Sequence, residues 1–539
     1  MSTGQEESEE SQFVDLHYPG PIHIADSLKG TDTFRTVIEL NTDQQVIYRF
    51  NGLDSPDVPE TRSSGFYERA EPYIDRMAHL LFIAEWNEMT RACDDTIDSI
   101  NNEDDPRYKL AKKIKGKCKD ALDRGPSKHE IEEVKGIIRR TSQIDREKMN
   151  PDTHIPFKNG NLNLSTWQLE SASPELFFTY QIAGNYTKKL YTLNDTPVFR
   201  DFLFDLVEPR YIPTVLDYMS YTLFPGFPAH KILVIVGPPR VGKGTLIRLN
   251  QTILNDAGVM IINLSKFLIP DNRFTLQGIQ GKNLLIDPEI KRDIKSSADF
   301  HNINTLFGGD TLQVEEKGRT PFNYRSKAKG VLAGNIPLFY VDNAAFLARL
   351  LIVPTKNRVE RTPVPDLEKR IFEREGENVV NMLLHILHSL IKRNFRFSGQ
   401  LSDDQYARLW EYLADPVSIF VDEHFMPDEN GGYVKVDESY DPFFKLFCAE
   451  RGIPMVKKQT YTYKVGKQYP KRKIRDETSR LIYAFTGCRL SLKVNVESKE
   501  TSARTQRMFD DAESNNLESS GLDRSDLSKD DENRKAFGL

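Results

Sequence analysis

The stretch His230-Lys-Ile-Leu-Val-Ile-Val-Gly237-Pro-Pro-Arg-Val-Gly242-Lys243-Gly-Thr245-Leu-Ile-Arg-Leu249 decides the fold. Ile232 to Val236 is an unbroken apolar run, the mark of a strand buried on both faces. A Gly/Pro turn follows, and apolar residues then recur at helical spacing. Strand, glycine-rich loop and helix in that order make an anion cradle. The glycines let backbone N–H groups come close to phosphate oxygens, the helix start carries partial positive charge, and Lys243 adds a point charge. Gly237, Pro238, Pro239, Arg240, Val241, Gly242, Lys243, Gly244 and Thr245 therefore form the candidate nucleotide-binding set, with ATP and Mg²⁺ as the expected ligands. The pattern departs once from its strict form. Gly244 stands where a Ser or Thr hydroxyl would bind Mg²⁺, so either Thr245 reaches the phosphates or metal, or water fills that place. The bland reading of the motif is a chance glycine-rich turn, and the flanking strand and helix argue against it.

Three elements downstream fit the same chemistry. Asn283 to Ile286 reads as a second buried strand, ending in Asp287-Pro288-Glu289. Carboxylates at a strand end beside a phosphate loop divide two tasks, holding Mg²⁺ and orienting the attacking water. Asp287 and Glu289 can share them in either order, with Asp287 and Thr245 the candidate metal-side groups. A plain acidic turn is the alternative. Lys329 to Gly334 reads as a third strand, with Asn335 at its tip as a candidate sensor of the γ-phosphate. Asn before Pro-containing turns is also common for local reasons. Arg349 precedes a further apolar strand, and its guanidinium is a candidate to reach a neighbouring subunit's γ-phosphate. A surface arginine is the competing reading. Lys243, Asp287, Asn335 and Arg349 fall within roughly one hundred residues, a span that one nucleotide-binding sheet can contain.

The whole chain has 539 residues, enough for about three domains. Lys and Arg number 73 against 79 Asp and Glu, a net charge of −6, which does not by itself favour a nucleic-acid partner but hides local patches. No apolar run approaches the ~20 residues of a membrane span. The opening MSTGQEESEESQ is acidic and lacks the apolar core of a secretory signal. Cys93, Cys118, Cys448 and Cys488 are scattered without a C-x-x-C pair, so neither a disulfide framework nor a structural zinc site is expected. The expected location is the cytoplasm, or the host cell interior for a viral protein.

Composition and periodicity divide the chain into five parts. Residues 1–12 read as a disordered acidic leader and 493–539 as a disordered tail. Residues 13–226 read as a mixed, mostly helical domain. Residues 227–397 alternate short apolar strands with longer segments, the sign of an α/β layer on a mostly parallel sheet. Residues 398–492 read as a small helix-rich module containing a basic, aromatic segment from Tyr461 to Arg475.

These motifs together resemble the superfamily 3 helicases of the AAA+ class, and within them the phage, plasmid and poxvirus primase–helicase branch. The resemblance rests on GPPRVGKGT, NLLIDPE, LFGGDTLQVEEKGRTPFNYRSKAK, VLAGNIP and DNAAFLARLLIVP, in that order. Weaker matches, such as SPELFFTYQIAGNY upstream and YDPFFKLFCAERGIP downstream, extend it from about Thr33 to Leu490. It implies an α/β AAA+ ATPase core of three layers on a mostly parallel sheet, flanked by a mainly helical N-terminal domain and a small winged-helix-like C-terminal domain. It also implies a homo-oligomeric ring, usually a hexamer, that hydrolyses ATP at subunit interfaces and draws single-stranded DNA, at a fork, through its channel. In such rings the segment between the second and third motifs is a hairpin that carries basic residues into the channel. Here TLQVEEKGRTPFNY reads as two strands with Lys317 and Arg319 near the tip, although Glu315 and Glu316 beside them weaken the DNA reading. Lys471, Arg472 and Lys473 are the candidate phosphate contacts of a wing, with a plain solvated surface as the alternative.

Primases of this branch need paired acids on a strand in an N-terminal polymerising domain. No such pair precedes residue 200, since Asp94-Asp95 lies in helical context, so the chain reads as the helicase half, with a primase as a possible separate partner. The lysines from Lys109 to Lys119 read as an exposed helix face, and His385 and His388 as surface residues of an amphipathic helix. Two other functions compete. The GKGT ending also occurs in nucleoside monophosphate kinases, which open with the loop instead of carrying it after 200 residues. A non-hydrolysing ATP-binding, DNA-binding module is the other.

Overall fold

The computed structural model describes residues 16–37, 46–51, 65–267, 274–290, 300–317, 321–335, 344–356, 364–429, 431–450, 455–476 and 478–491. The expected leader, the expected tail and Arg319 lie outside these residues. The chain divides into two compact units. One runs to Met149 and adds Ser173–Phe178; the other holds Asn150–Ala172 and everything from Thr179. The segments before Gly226 are thus shared between both units.

The first unit contains α1 (Pro21–Thr31), β1 (Phe34–Val37), β2 (Ile47–Asn51), β3 (Phe66–Arg69), α2 (Glu71–Ser99), α3 (Pro106–Arg124), α4 (Lys128–Thr141) and β4 (Gln143–Ile144). Its helices follow from sequence spacing. Ile74, Ala78, Phe82, Trp86, Met89 and Cys93 recur every three or four positions on α2 and bury one stripe. Ala111, Ile114, Cys118 and Ala121 do the same on α3, which packs along α2. Asp105 caps α3 by accepting from Arg107 N at 2.8 Å, with Pro106 at the first helical position. Lys109, Lys112, Lys113, Lys117 and Lys119 face solvent, as a helix with that buried stripe requires. The strands form a sheet in the order β3-β2-β1-β4.

The second unit opens with β5 (His154–Phe157), β6 (Gly160–Asn163), β7 (Gln168–Glu170), α5 (Pro197–Leu206) and α6 (Ile212–Leu223). The α/β layer follows: β8 (Ile232–Val236), α7 (Lys243–Leu254), β9 (Val259–Ile261), α8 (Leu264–Phe267), β10 (Leu284–Asp287) and α9 (Phe300–Gly308). It continues with β11 (Thr311–Val314), β12 (Phe322–Arg325), β13 (Lys329–Gly334), α10 (Ala344–Leu347), β14 (Leu350–Pro354) and α11 (Leu367–Lys392). Five of these strands form one all-parallel sheet in the order β14-β8-β13-β10-β9. Every residue of β8, β10 and β13 is buried, which explains why they read as continuous apolar runs without alternation. β8 lies between β13 and β14. The carboxyl ends of β8, β13 and β10 therefore open beside one another, where an open α/β sheet binds ligands. α6, α7 and α11 pack together, and Tyr218 of α6 donates its hydroxyl to Gly330 O at 2.6 Å.

The last part comprises α12 (Asp403–Ala414), α13 (Pro416–His424), β15 (Phe425–Pro427), β16 (Tyr433–Lys435), α14 (Val436–Glu438), α15 (Lys445–Glu450), α16 (Lys458–Gln468), β17 (Lys471–Arg475), β18 (Leu481–Thr486) and β19 (Cys488–Leu490). β16, β18 and β17 make a three-stranded antiparallel sheet. Phe420, Phe444, Phe447, Tyr461 and Phe485 give this part a core of its own. The basic, aromatic segment from Tyr461 to Arg475 is divided. Its first half is helix α16, because Tyr461 and Val465 four positions apart both bury against that core, and only Lys471–Arg475 is strand.

Candidate active site

The glycine-rich loop joins β8 to α7 at the carboxyl edge of the parallel sheet. Gly242, the residue before α7, has φ 110°, a conformation that only glycine adopts without strain. No side chain caps α7 at this point, so the first-turn N–H groups face the loop without a side-chain acceptor. Gly237 is fixed for a different reason. Its N–H donates to Gly334 O at 3.1 Å, and a Cβ there would lie 1.8 Å from Thr355 Oγ1.

Lys243, the first residue of α7, is 9% exposed. Its Nζ donates to Gly237 O at 2.7 Å, Pro238 O at 2.6 Å and Asn335 Oδ1 at 3.2 Å. The ammonium is thus held by the loop's own carbonyls and by the amide at the tip of β13. Burial lowers its pKa to about 8, partly offset by the carboxylate of Glu289.

Asp287 ends β10 and is buried. Its Oδ2 accepts from Leu264 N at 2.7 Å and its Oδ1 from Glu289 N at 3.2 Å. Burial raises its pKa, and the two backbone N–H groups hold it back. Asp287 therefore fastens both the start of α8 and the turn that presents Glu289. Glu289 is exposed and is the acid whose charge Lys243 feels. Thr245 and Gly244 lie half-buried in the first turn of α7, and a Cβ on Gly244 would meet Arg248 Nη1 at 3.0 Å. Arg240 is the exposed tip of the loop, at φ 64°.

Lys243, Asn335, Asp287 and Glu289 thus gather at one edge of the sheet. Arg349 does not join them. It precedes β14, where its carbonyl accepts from Ile232 N at 2.7 Å, at the amino edge of the sheet. The five-residue strand β8 separates that edge from the loop, a distance of roughly 15 Å. There Nη1 of Arg349 donates to Ala345 O, His230 is close enough to feel its charge, and Nε has no partner.

The hairpin expected between the second and third motifs is present as antiparallel β11 and β12. Lys317 is exposed at the end of its described part. Glu316 is buried and accepts from Gly278 N at 3.2 Å. Lys471, Arg472 and Lys473 are all exposed on β17. Strand alternation puts Lys471 and Lys473 on one face and Arg472 on the other.

Sequence reasoning missed Thr355. It follows β14, donates its N–H to Val236 O at 2.7 Å and packs its side chain against Gly237. Its hydroxyl is buried without a partner. No local signal marks it, because its place depends on β14 pairing with β8. Among the described residues no cluster of three or more His, Cys, Asp or Glu could hold a metal by itself. No helix of the described residues is long and apolar enough to cross a membrane.

Residues 81–208 match the family described as D5 N terminal like, and residues 235–345 match a family of unknown function, DUF5906. The second match spans the loop, Asp287, Glu289 and Asn335. None of the curated proteins matches the chain. Among solved structures, the apo C-terminal region of NrS-1 (305–718) is similar at 10% identity and a TM-score of 0.34, over 56% of this chain and 77% of that one. An A-form apo structure of the NrS-1 C-terminal region gives 10% identity and 0.30 over the same shares. The D5 N-terminal-like match supports a protein of the primase–helicase type.

Proposed function

We propose that the chain is an ATP-driven DNA helicase of superfamily 3, with an AAA+ core on the β14-β8-β13-β10-β9 sheet and a winged-helix-like C-terminal module. It acts inside the cell in the replication of a virus, plasmid or integrated element. The observation that carries this reading is Lys243 Nζ held between the loop carbonyls and Asn335 at the carboxyl edge of the sheet. An ammonium in that place would exchange its carbonyl partners for β- and γ-phosphate oxygens, which lie over an uncapped helix start. Magnesium would supply charge neutralisation on the phosphates, with Asp287 and Thr245 the candidate groups to hold it.

Glu289 is the better candidate to orient the attacking water. Both carboxylate oxygens of Asp287 already accept backbone N–H groups, whereas Glu289 is exposed and electrostatically coupled to Lys243. Asn335 would contact the γ-phosphate once Lys243 leaves it. Arg349 lies too far from its own loop, so its role requires a neighbouring copy, as in a ring, expected to be a hexamer. Lys317 on the β11–β12 hairpin would grip DNA phosphates in the channel, with Arg319 beside it in sequence and a primase supplied by a separate chain.

The experiment is ATP hydrolysis with and without single-stranded DNA, for the wild type and Lys243→Ala. Hydrolysis stimulated by DNA and lost in the variant is the expected result. Normal hydrolysis by Lys243→Ala would sink the proposal. Gly244 favours one second reading, ATP binding without turnover, which the same assay separates. Transfer of phosphate to AMP without DNA stimulation would instead mark a kinase.

A further inference from the structure

We propose that the groove between α16 and the β17–β18 hairpin binds single-stranded nucleic acid, with bases stacked on Tyr463 and Tyr483 and the backbone passing over Gly466. This site is separate from the ATP loop and from the β11–β12 hairpin. It rests on the nucleic-acid partner proposed above but not on hydrolysis.

Four observations meet here. The groove has a volume of about 920 Å³ and is lined by both tyrosines, Gly466, Lys467 and Lys471. That is room for roughly two groups of nucleotide size. Tyr463 is 65% and Tyr483 56% exposed, and large aromatic rings are seldom left in water without a partner. Cations surround both rings. Lys467 Nζ lies 5.0 Å from the Tyr463 centroid, and Lys471 and Lys473 lie 4.5 and 6.0 Å from that of Tyr483. The one acid on the groove wall, Asp437, is neutralised by Lys458, whose Nζ sits 2.8 Å from both Asp437 and Asp441.

The fourth observation is Gly466. It occupies the interior of α16, where glycine weakens a helix relative to alanine. Among the described residues nothing requires it, for a Cβ there would meet no atom within 4 Å. A glycine that the fold does not need, on the wall of a basic groove, leaves space for a close backbone approach from outside.

A positive groove with aromatic faces is how single strands are held without sequence readout. Duplex readout instead thrusts a helix into the major groove. Here the helix face forms one wall of a concavity, with Tyr463 of α16 and Tyr483 of β18 both in its lining. The lysines now resting on the rings would move to phosphates as bases take their place.

The test uses the full chain without nucleotide and a fluorescein-labelled dT15, read by anisotropy. Replacing both tyrosines by leucine should weaken binding tenfold or more, and replacing both by phenylalanine, which keeps the rings, should preserve it. Lys471→Gln with Lys473→Gln should reduce the salt dependence of binding. Gly466→Ala should leave the melting temperature equal or higher while weakening dT15 binding several-fold. Unchanged dT15 affinity in the leucine pair, with an intact melting transition, would overturn the proposal. So would equal loss in the phenylalanine pair, or a hairpin duplex that binds more tightly than dT15 through the same residues. Failure of ATP hydrolysis alongside tyrosine-dependent dT15 binding would overturn the motor and leave this site standing.

Discussion

Lys243 Nζ and Asn335 Oδ1 lie 3.2 Å apart although 92 positions separate them in the chain. They meet because β8 and β13 are adjacent parallel strands that end together, Val236 opposite Gly334. On the proposed function, Asn335 would stand in for phosphate at Lys243 before nucleotide arrives and become a free amide afterwards. Asn335→Ala should therefore lower ATP turnover by roughly 100-fold, the usual loss for one donor aimed at developing charge, with KM little changed. Lys243→Ala should abolish binding itself. Steady-state kinetics separate the two, and an equal rise in KM for both variants would deny Asn335 its distinct role.

Nucleotide affinity should depend on pH through the same lysine. Burial has brought its pKa from the usual 10.5 to about 8. A triphosphate favours the charged form. Below pH 8 the ammonium is already charged and affinity should be flat. Above it each binding event must take up a proton, and affinity should fall by up to tenfold per pH unit. Lys243→Arg, whose guanidinium stays charged, should flatten that slope at some cost in fit. Titration calorimetry between pH 7 and 9.5, in two buffers of different ionisation heat, measures the proton uptake directly.

Gly237→Ala should destabilise the protein by a few kcal/mol. Its Cβ would stand 1.8 Å from Thr355 Oγ1 and 2.9 Å from Thr355 Cβ, an overpacked contact between two strand ends that cannot both move. Thr355→Ala alone should cost less than about 1 kcal/mol, because the hydroxyl it removes is buried without a partner. In the double variant part of the lost stability should return, leaving the residual clash with the Cβ at position 355. Thermal melting of the four proteins gives the coupling, and strict additivity would show that the two residues do not press on each other.

The sequence made β8, β10 and β13 legible because strands buried on both faces leave continuous apolar runs, and Lys243 legible because its loop chemistry is local. Asp287, Glu289 and Asn335 were found because each follows such a run. What stayed hidden depends on pairing between distant segments. Thr355 matters only because β14 lies beside β8. The sequence pointed to Glu289 and Asp287 equally, and their difference in burial and in backbone contacts, Leu264 N to Asp287 among them, depends on tertiary structure. The helix in the first half of Tyr461–Arg475 was not legible because mixed basic and aromatic residues hide the helical spacing of Tyr461 and Val465. Glu316 was weighed as a charge opposing Lys317, and its burial against Gly278 could not be read from its neighbours in sequence.

Arg349 supplies the sharpest test of assembly. It lies at the amino edge of the sheet and the loop at the carboxyl edge, so no side-chain rotation within one chain brings the guanidinium to Lys243. If it stabilises the transferring phosphoryl group, it does so for another copy. Arg349→Ala should then bind ATP normally while hydrolysis falls about 1,000-fold, the range seen when such an arginine is withdrawn. Lys243→Ala should bind none. Mixed in equal amounts, the two inactive proteins should recover activity, because some interfaces join an intact loop from one variant to an intact arginine from the other. A preparation held at concentrations where the chain is monomeric should show no recovery. Mixtures that stay inactive, although mass measurements show joint assembly, would return Arg349 to an ordinary role at the sheet edge beside His230.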